Sequence, residues 1–243
     1  MRPPILRMGG KTKLKKHIVK MFPKEYESMT YVEPFIGGGS IFFEKNPSTI
    51  EVVNDLDKHV SVIYKGLKKY GKSIGEIDTS ISKDTYNNLQ NTHYKSIKKQ
   101  AIRNILISRN SFMGSTRVNN YFNTHRDMIR LIDYSPYEER LKDTVILNTD
   151  ALKVIKKYDS PNTLFYLDPP YEGSTTALYN HNIFNYDALA KLLKRIKGKF
   201  ILSINDSEAI RELFKEYTIH EVTVNYGFLR KNNKKQELII TNF

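Results

Sequence analysis

Apolar and polar positions along the chain fall into two alternating rhythms. Short apolar runs bounded by turn residues recur at "YVEPF" (31–35), "IEVVND" (50–55), "TVILN" (144–148), "TLFYLD" (163–168), "KFILSI" (199–204), "TIHEVTV" and "ELIITN". Their length and β-branched or aromatic content predict strands. Between most of them lie stretches with helical spacing. "KLKKHIVKMF" puts Leu14, Ile18 and Met21 on one face, and the segment after Asp55 turns Val60, Ile63 and Leu67 inward. "GGGSIFFEK" is expected to open a helix; "DALKVIKKY", "YDALAKLLKRI" and "SEAIRELFKEY" read as helices too. Strand–helix alternation predicts an α/β fold, a doubly wound and mostly parallel sheet covered on both faces. The last two strands have no helix between them, so an antiparallel pair is expected at the edge. From about residue 70 to 140 the rhythm breaks. The segment is polar and rich in Asn, Lys and Tyr, with helical pieces near 83–90 and 97–108 and a loop, "RNSFMGSTRVNNYFNTHRD". This predicts a Rossmann-like domain made of residues 1–64 and 141–243, with a mainly helical lobe inserted at 65–140.

Composition narrows the class. The chain has 243 residues, 40% hydrophobic and 27% charged, an ordinary globular balance. No apolar run reaches the length of a membrane span. The N-terminus lacks the apolar core of a signal peptide, so a cytoplasmic protein is expected, or one found wherever its polyanionic partner is. There is no cysteine, which excludes disulfides, cysteine nucleophiles and cysteine zinc sites. The net charge is +13, and it is clustered. Arg2, Arg7, Lys11, Lys13, Lys15, Lys16, Lys20 and Lys24 occur with no acid among residues 1–24. The predicted lobe is basic as well. Such a surface suits nucleic acid.

Three motifs carry chemistry. In "EPFIGGGS" (33–40), Gly37, Gly38 and Gly39 follow a strand, where a glycine turn lets a ligand approach the backbone. The spacing is not the dinucleotide fingerprint. Asp55, at the end of the next strand, is placed to bond ribose hydroxyls or to cap a helix. Together these point to an adenosine-containing cofactor. "GGKT" (9–12) lacks the upstream glycine and strand of a phosphate-binding loop; Lys11 there meets a carboxylate or phosphate, or solvent. In "LDPPY", the Asp168 carboxylate and the Pro169 carbonyl are two acceptors held close by the rings of Pro169 and Pro170. Two adjacent acceptors suit an amino group, and Tyr171 offers a face to a flat ring. An amino group on a flat heterocycle is a nucleobase such as adenine. Held so, its nitrogen turns pyramidal and aims a lone pair at an electrophile.

These motifs, in this order, resemble the Dam-like (D12 class) family of S-adenosylmethionine-dependent DNA adenine-N6 methyltransferases. The resemblance runs nearly the whole length and includes "FILSINDS" (200–207) and "ELIITN" (237–242). It implies a class I methyltransferase fold and transfer of a methyl group from S-adenosylmethionine to N6 of an adenine flipped from duplex DNA, with no metal required. Asp168, Pro169, Pro170 and Tyr171 would form the catalytic motif, with Asp168 also near the cofactor's amino group. Arg7, Lys11, Phe35, Gly37, Gly38, Gly39, Asp55 and Asp150 would hold the cofactor; Asp150 could equally be a helix cap. The lobe would recognise DNA through Arg109, Ser115, Arg117, Asn119 and Asn123, with Arg117 reading a base edge or binding phosphate. Met113, Ser115 and Thr124-His125 depart from the family's usual recognition hairpin. A cognate restriction endonuclease is a candidate partner. RNA adenine methylation and catalytically silent DNA binding are the competing readings.

Overall fold

The computed structural model describes residues 1–7, 9–115, 121–123, 130–171, 184–225 and 234–243. The chain opens with helix α1 (Lys15–Lys20) and enters the sheet at β1 (Thr30–Glu33), followed by β2 (Ile50–Asn54) and the long helix α2 (Lys58–Ile74). A short strand β3 (Glu76–Asp78) leads into α3 (Lys83–Gln90) and α4 (Ile97–Arg109). The chain returns through β4 (Leu131–Asp133) and α5 (Ser135–Leu141). It then alternates through β5 (Val145–Leu147), α6 (Ala151–Tyr158), β6 (Thr163–Leu167), α7 (Tyr186–Leu193), β7 (Lys199–Asn205) and α8 (Glu208–Leu213). β8 (Thr218–Asn225) and β9 (Lys234–Thr241) finish the sheet. Among the described residues, no helix is long and apolar enough to cross a membrane.

The main sheet has seven strands in the order β5-β2-β1-β6-β7-β9-β8. β1, β2, β5, β6 and β7 pair in parallel, while β9 runs antiparallel to both β7 and β8. This is the predicted α/β, Rossmann-like, mostly parallel sheet with an antiparallel pair at one edge. The order reverses between β1 and β6, the switch point where ligands bind in such sheets.

Alternation along the strands builds two cores. Val32, Phe165, Leu167, Phe200 and Leu202 face a core shared with α6, α7 and α8. Tyr31, Leu164, Tyr166 and Ile201 face the other, shared with α1, α2 and α5. The same period puts Glu33, Asp168 and Ser203 on the second face, where the N-terminal segment also packs.

One expectation is corrected. "GGGSIFFEK" does not open a regular helix: residues 37–45 form a chain of turns. Phe43 N–H reaches Gly39 O at 3.0 Å and Lys45 N–H reaches Ile41 O at 3.1 Å. Gly37 and Gly39 have φ of 47° and 77°, and this left-handed backbone interrupts a right-handed helix. The polar segment carries the expected helices at 83–90 and 97–109 and, in addition, one short sheet. β3 and β4 form a separate two-stranded antiparallel sheet. The helix α2 runs unbroken past residue 64 and supports both α4 and α5. A Cβ on Gly66 would lie 2.3 Å from the Cβ of Ala101, so the α2–α4 contact requires glycine there.

Candidate active site

The glycine turn and Asp55 form one rigid unit. Asp55 follows β2. Its Oδ2 accepts the Gly37 N–H at 2.9 Å and its Oδ1 accepts the Asp57 N–H at 2.8 Å. Both carboxylate oxygens are thus fixed by backbone. Burial raises the Asp55 pKa above its ordinary value, against the pull of the nearby Arg7 charge. Asp55 is not the cap of α2; Asp57 is, accepting the His59 N–H at 2.9 Å. Arg7 donates from Nη2 to Asp57 Oδ2 at 2.8 Å, and its side chain lies against the positions a Cβ would take on Gly37 and Gly38. Gly39 is needed for packing as well as for its backbone: a Cβ there would stand 2.7 Å from the Tyr64 hydroxyl and 2.9 Å from the Phe43 ring.

The neighbouring loop is stitched to this unit. Asn148 Nδ2 donates to the carbonyls of Asp55 and Leu56, and Asn54 exchanges hydrogen bonds with Thr149. Asp150 therefore sits at the same end of the sheet. It is exposed and caps α6, accepting the Lys153 N–H at 3.1 Å.

Asp168 follows β6 at the switch point. Its Oδ1 accepts from Lys11 Nζ at 2.7 Å and from Ser203 Oγ at 3.2 Å. Among the described residues, Oδ2 accepts no hydrogen bond. Lys11 is 2% exposed; its Nζ also donates to Gly9 O at 3.0 Å and stands 4.7 Å from the centre of the Tyr171 ring. Lys11, Asp168 and Tyr171 are thus brought together from positions 157 residues apart. Burial raises the Asp168 pKa above its ordinary value, and Lys11 opposes that rise. Pro169 is buried and Pro170 half-buried. The Pro170 carbonyl accepts from the Tyr186 hydroxyl. Tyr186 packs edge-on against Phe184, and Phe184 against Phe35, with ring centres 5.0 and 5.4 Å apart. Through these rings the proline turn is linked to the strand that leads into the glycine turn.

Three of the predicted lobe residues, Arg109, Ser115 and Asn123, lie within the described residues. Arg109 is 6% exposed, and its Nε donates to Thr79 Oγ1 at 3.2 Å, so its charge faces the interior of the lobe. Asn123 N–H bonds Asn110 O at 2.9 Å, and the Ser115 carbonyl accepts from Ser111 Oγ. Both are half-buried beside the isolated antiparallel bridge between Ser111 and Phe122. Of the aromatic residues here, Phe122 packs on Tyr86, while Phe112 and Tyr121 are exposed. Arg117, Asn119, Thr124 and His125, and the side chain of Met113, lie outside the described residues.

Sequence reasoning passed over three groups at the site. Ser203 is the lone polar residue in the buried run "FILSI" and is fully buried beside Asp168. Tyr166, two residues before Asp168, shares a hydrogen bond of 2.8 Å with Ser203. Glu33 ends β1 on the same face; burial pushes its pKa up to about 8, although the Tyr31 hydroxyl donates to it. A polar residue within an otherwise apolar strand was the available signal for Ser203 and Glu33.

A carboxylate with one oxygen free of hydrogen bonds among the described residues, an aromatic ring and a proline turn stand at the same end of the sheet as the glycine turn. That combination suits an amino-bearing ring placed against a bound nucleoside. Comparisons with known proteins place the chain in a family. The chain is 28% identical to the Type II methyltransferase M1.LlaDCHI of Lactococcus lactis subsp. cremoris, an alignment covering 100% of this chain and 96% of that protein. It is 26% identical to the Type II methyltransferase M.CviBI of Paramecium bursaria Chlorella virus NC1A, covering 94% and 92%. It is 23% identical to the Type II methyltransferase M.MjaIII of Methanocaldococcus jannaschii, covering 100% and 99%. Residues 8–228 match the D12 class N6 adenine-specific DNA methyltransferases, and the chain belongs to that family.

Proposed function

We propose that this DNA adenine-N6 methyltransferase takes its methyl group from S-adenosylmethionine and acts on an adenine flipped out of duplex DNA. When bound, S-adenosylmethionine supplies an electrophilic methyl group on a positively charged sulfur. The cradle's chemistry fits the rest of that molecule. Asp55, fixed by two backbone N–H groups, would hold the ribose hydroxyls. The Gly37–Gly39 turn and Phe35 would pack the methionine portion, with Arg7 alongside. Asp150 would lie near the adenine ring in addition to capping α6.

The observation that carries the reading is the division of labour at Asp168. Oδ1 is held by Lys11 and Ser203, and Oδ2 is left for a substrate. Oδ2 and the Pro169 carbonyl would accept the two hydrogens of the adenine amino group, and Tyr171 would stack on the ring. Flipping a base costs a few kcal/mol, and aromatic stacking returns about 1–3 kcal/mol of it. Catalysis is then mainly positioning. Lys11 favours the ionised form of the carboxylate against the effect of burial, so that it can draw on the amino hydrogens and receive a proton once the methyl group is transferred.

The lobe at 65–140 would meet DNA through Ser115, Arg117, Asn119 and Asn123, with the N-terminal lysines along the backbone. Arg109, turned inward, would brace the lobe. The relatives are named as Type II methyltransferases, which supports a role in restriction–modification beside a cognate endonuclease.

The test is expression in a methylation-deficient host followed by single-molecule sequencing of its DNA. N6-methyladenine confined to one short motif is expected. Soluble protein that binds S-adenosylmethionine yet leaves genomic DNA unmodified would turn the reading toward RNA or toward silent binding.

A further inference from the structure

We infer that Ser203, oriented by Tyr166, is a positioning residue for methyl transfer: it fixes which oxygen of Asp168 meets the target amino group. The inference rests on the proposed role of Asp168. Ser203 lies on β7 one residue past Leu202, which pairs in register with Leu167, the residue before Asp168. The Ser203 hydroxyl has one hydrogen. It points to Asp168 Oδ1, since an ionised carboxylate can only accept. The bond of 2.8 Å between Ser203 and Tyr166 must then run from the Tyr166 hydroxyl to Ser203 Oγ. The order is Tyr166 to Ser203 to Asp168. Tyr166 and Ser203 are 1% and 0% exposed, so water does not stand in for either donor.

The pair gives Asp168 a second anchor besides Lys11. A single contact with the Lys11 ammonium leaves the carboxylate able to rotate about its Cβ–Cγ bond and exchange its oxygens. Ser203, on a central strand and approaching from β7, defines the plane. Other titratable groups facing Asp168 are Lys11 from the N-terminal segment, Glu237 from β9 and Glu33 from β1. Glu237 disfavours a charged Asp168, while Lys11 and the Ser203 hydroxyl favour it; Glu33, whose pKa burial pushes up to about 8, is protonated through the acid range and adds no charge there. Removing the hydroxyl therefore raises the pH at which Asp168 ionises. Because the ionised form is the active one, the acid limb of the rate profile moves to higher pH.

The experiment measures kcat/KM against pH for methyl transfer from labelled S-adenosylmethionine to unmethylated genomic DNA. It uses the full chain and the variants Ser203→Ala, Ser203→Thr, Tyr166→Phe and Asp168→Ala, with thermal unfolding to confirm folding. Loss of one donor to a carboxylate predicts a drop of about tenfold for Ser203→Ala near neutral pH, with the acid limb raised by about one pH unit. Tyr166→Phe shifts both the same way by less, and Ser203→Thr restores the limb. A Ser203→Ala enzyme whose acid limb matches wild type overturns the positioning role, whatever its rate. Should Ser203→Ala fail to fold, a wild-type acid limb in Tyr166→Phe overturns it instead. Turnover retained by Asp168→Ala sinks the reading of Asp168 itself; an inactive Asp168→Ala beside an unshifted Ser203→Ala sinks only the inference about Ser203.

Discussion

Two half-buried aspartates stand at the carboxyl ends of β2 and β6, the strands on either side of β1, and the chain treats them differently. Asp55 has both oxygens tied to backbone N–H groups within 18 residues of it. Asp168 has one oxygen tied, and to side chains brought from 157 and 35 residues away. Burial raises the pKa of both. Asp55 belongs to a cradle already set, whereas Asp168 is an acceptor that depends on tertiary structure and has one oxygen without a hydrogen bond among the described residues. A site that must bind a ligand the same way each time benefits from the first arrangement. A site that must admit and release a base benefits from the second.

Lys11→Met breaks the comparison hardest. It leaves a buried carboxylate without its cation and should cost about 3 kcal/mol of stability near neutral pH, toward the low end for a buried pair because the Asp168 side chain is 20% exposed. The sign with pH follows from linkage. A folded-state pKa above the unfolded value means that the native state gains the extra proton. The deficit relative to wild type is fully present above the variant's folded pKa and shrinks as pH falls toward the wild-type folded pKa, itself raised above that of an unfolded aspartate. Urea unfolding of both proteins from pH 8 to pH 5 checks this; a deficit independent of pH would place its origin elsewhere.

Asp55→Asn sharpens the other half. Whichever way the amide turns, its NH₂ group faces one backbone N–H. One buried hydrogen bond is lost and replaced by a donor–donor contact, at about 1–3 kcal/mol. Thermal unfolding and titration with S-adenosylmethionine should show lower stability and weaker binding together. Wild-type values for both would mean that the cradle does not rely on its carboxylate.

The smallest effect belongs to Asp150→Ala. Losing the cap of α6 should cost about 1 kcal/mol, and affinity for S-adenosylmethionine should fall less than in Asp55→Asn. The same two measurements decide it. A larger loss of affinity than Asp55→Asn would make Asp150, not Asp55, the principal hold on the nucleoside.

Much of this was legible from residue patterns, for reasons that also explain the misses. Each strand of the main sheet has enough apolar residues to announce itself. "ELIITN" is apolar in succession and lies buried between two strands, while "TIHEVTV" alternates and lies at the edge. The sheet of β3 and β4 was missed because it pairs three-residue strands from opposite ends of the lobe, too short to carry a period. The helix expected after the glycines failed because two of them adopt left-handed φ. Asp168 and Lys11 stood out as motif residues. Ser203 did not, because its importance comes from register, and register becomes visible only when β6 and β7 lie side by side.

The central claim is that Asp168 presents a carboxylate oxygen to the target amino group. The most direct measurement is single-turnover methyl transfer to duplex DNA by Asp168→Asn, with enzyme and S-adenosylmethionine both saturating. Asparagine keeps the size of the side chain but loses the charge and one acceptor. The rate should fall by about a hundredfold to a thousandfold, as when one preorganised electrostatic contact to a transition state is removed. A rate within threefold of wild type would contradict the claim.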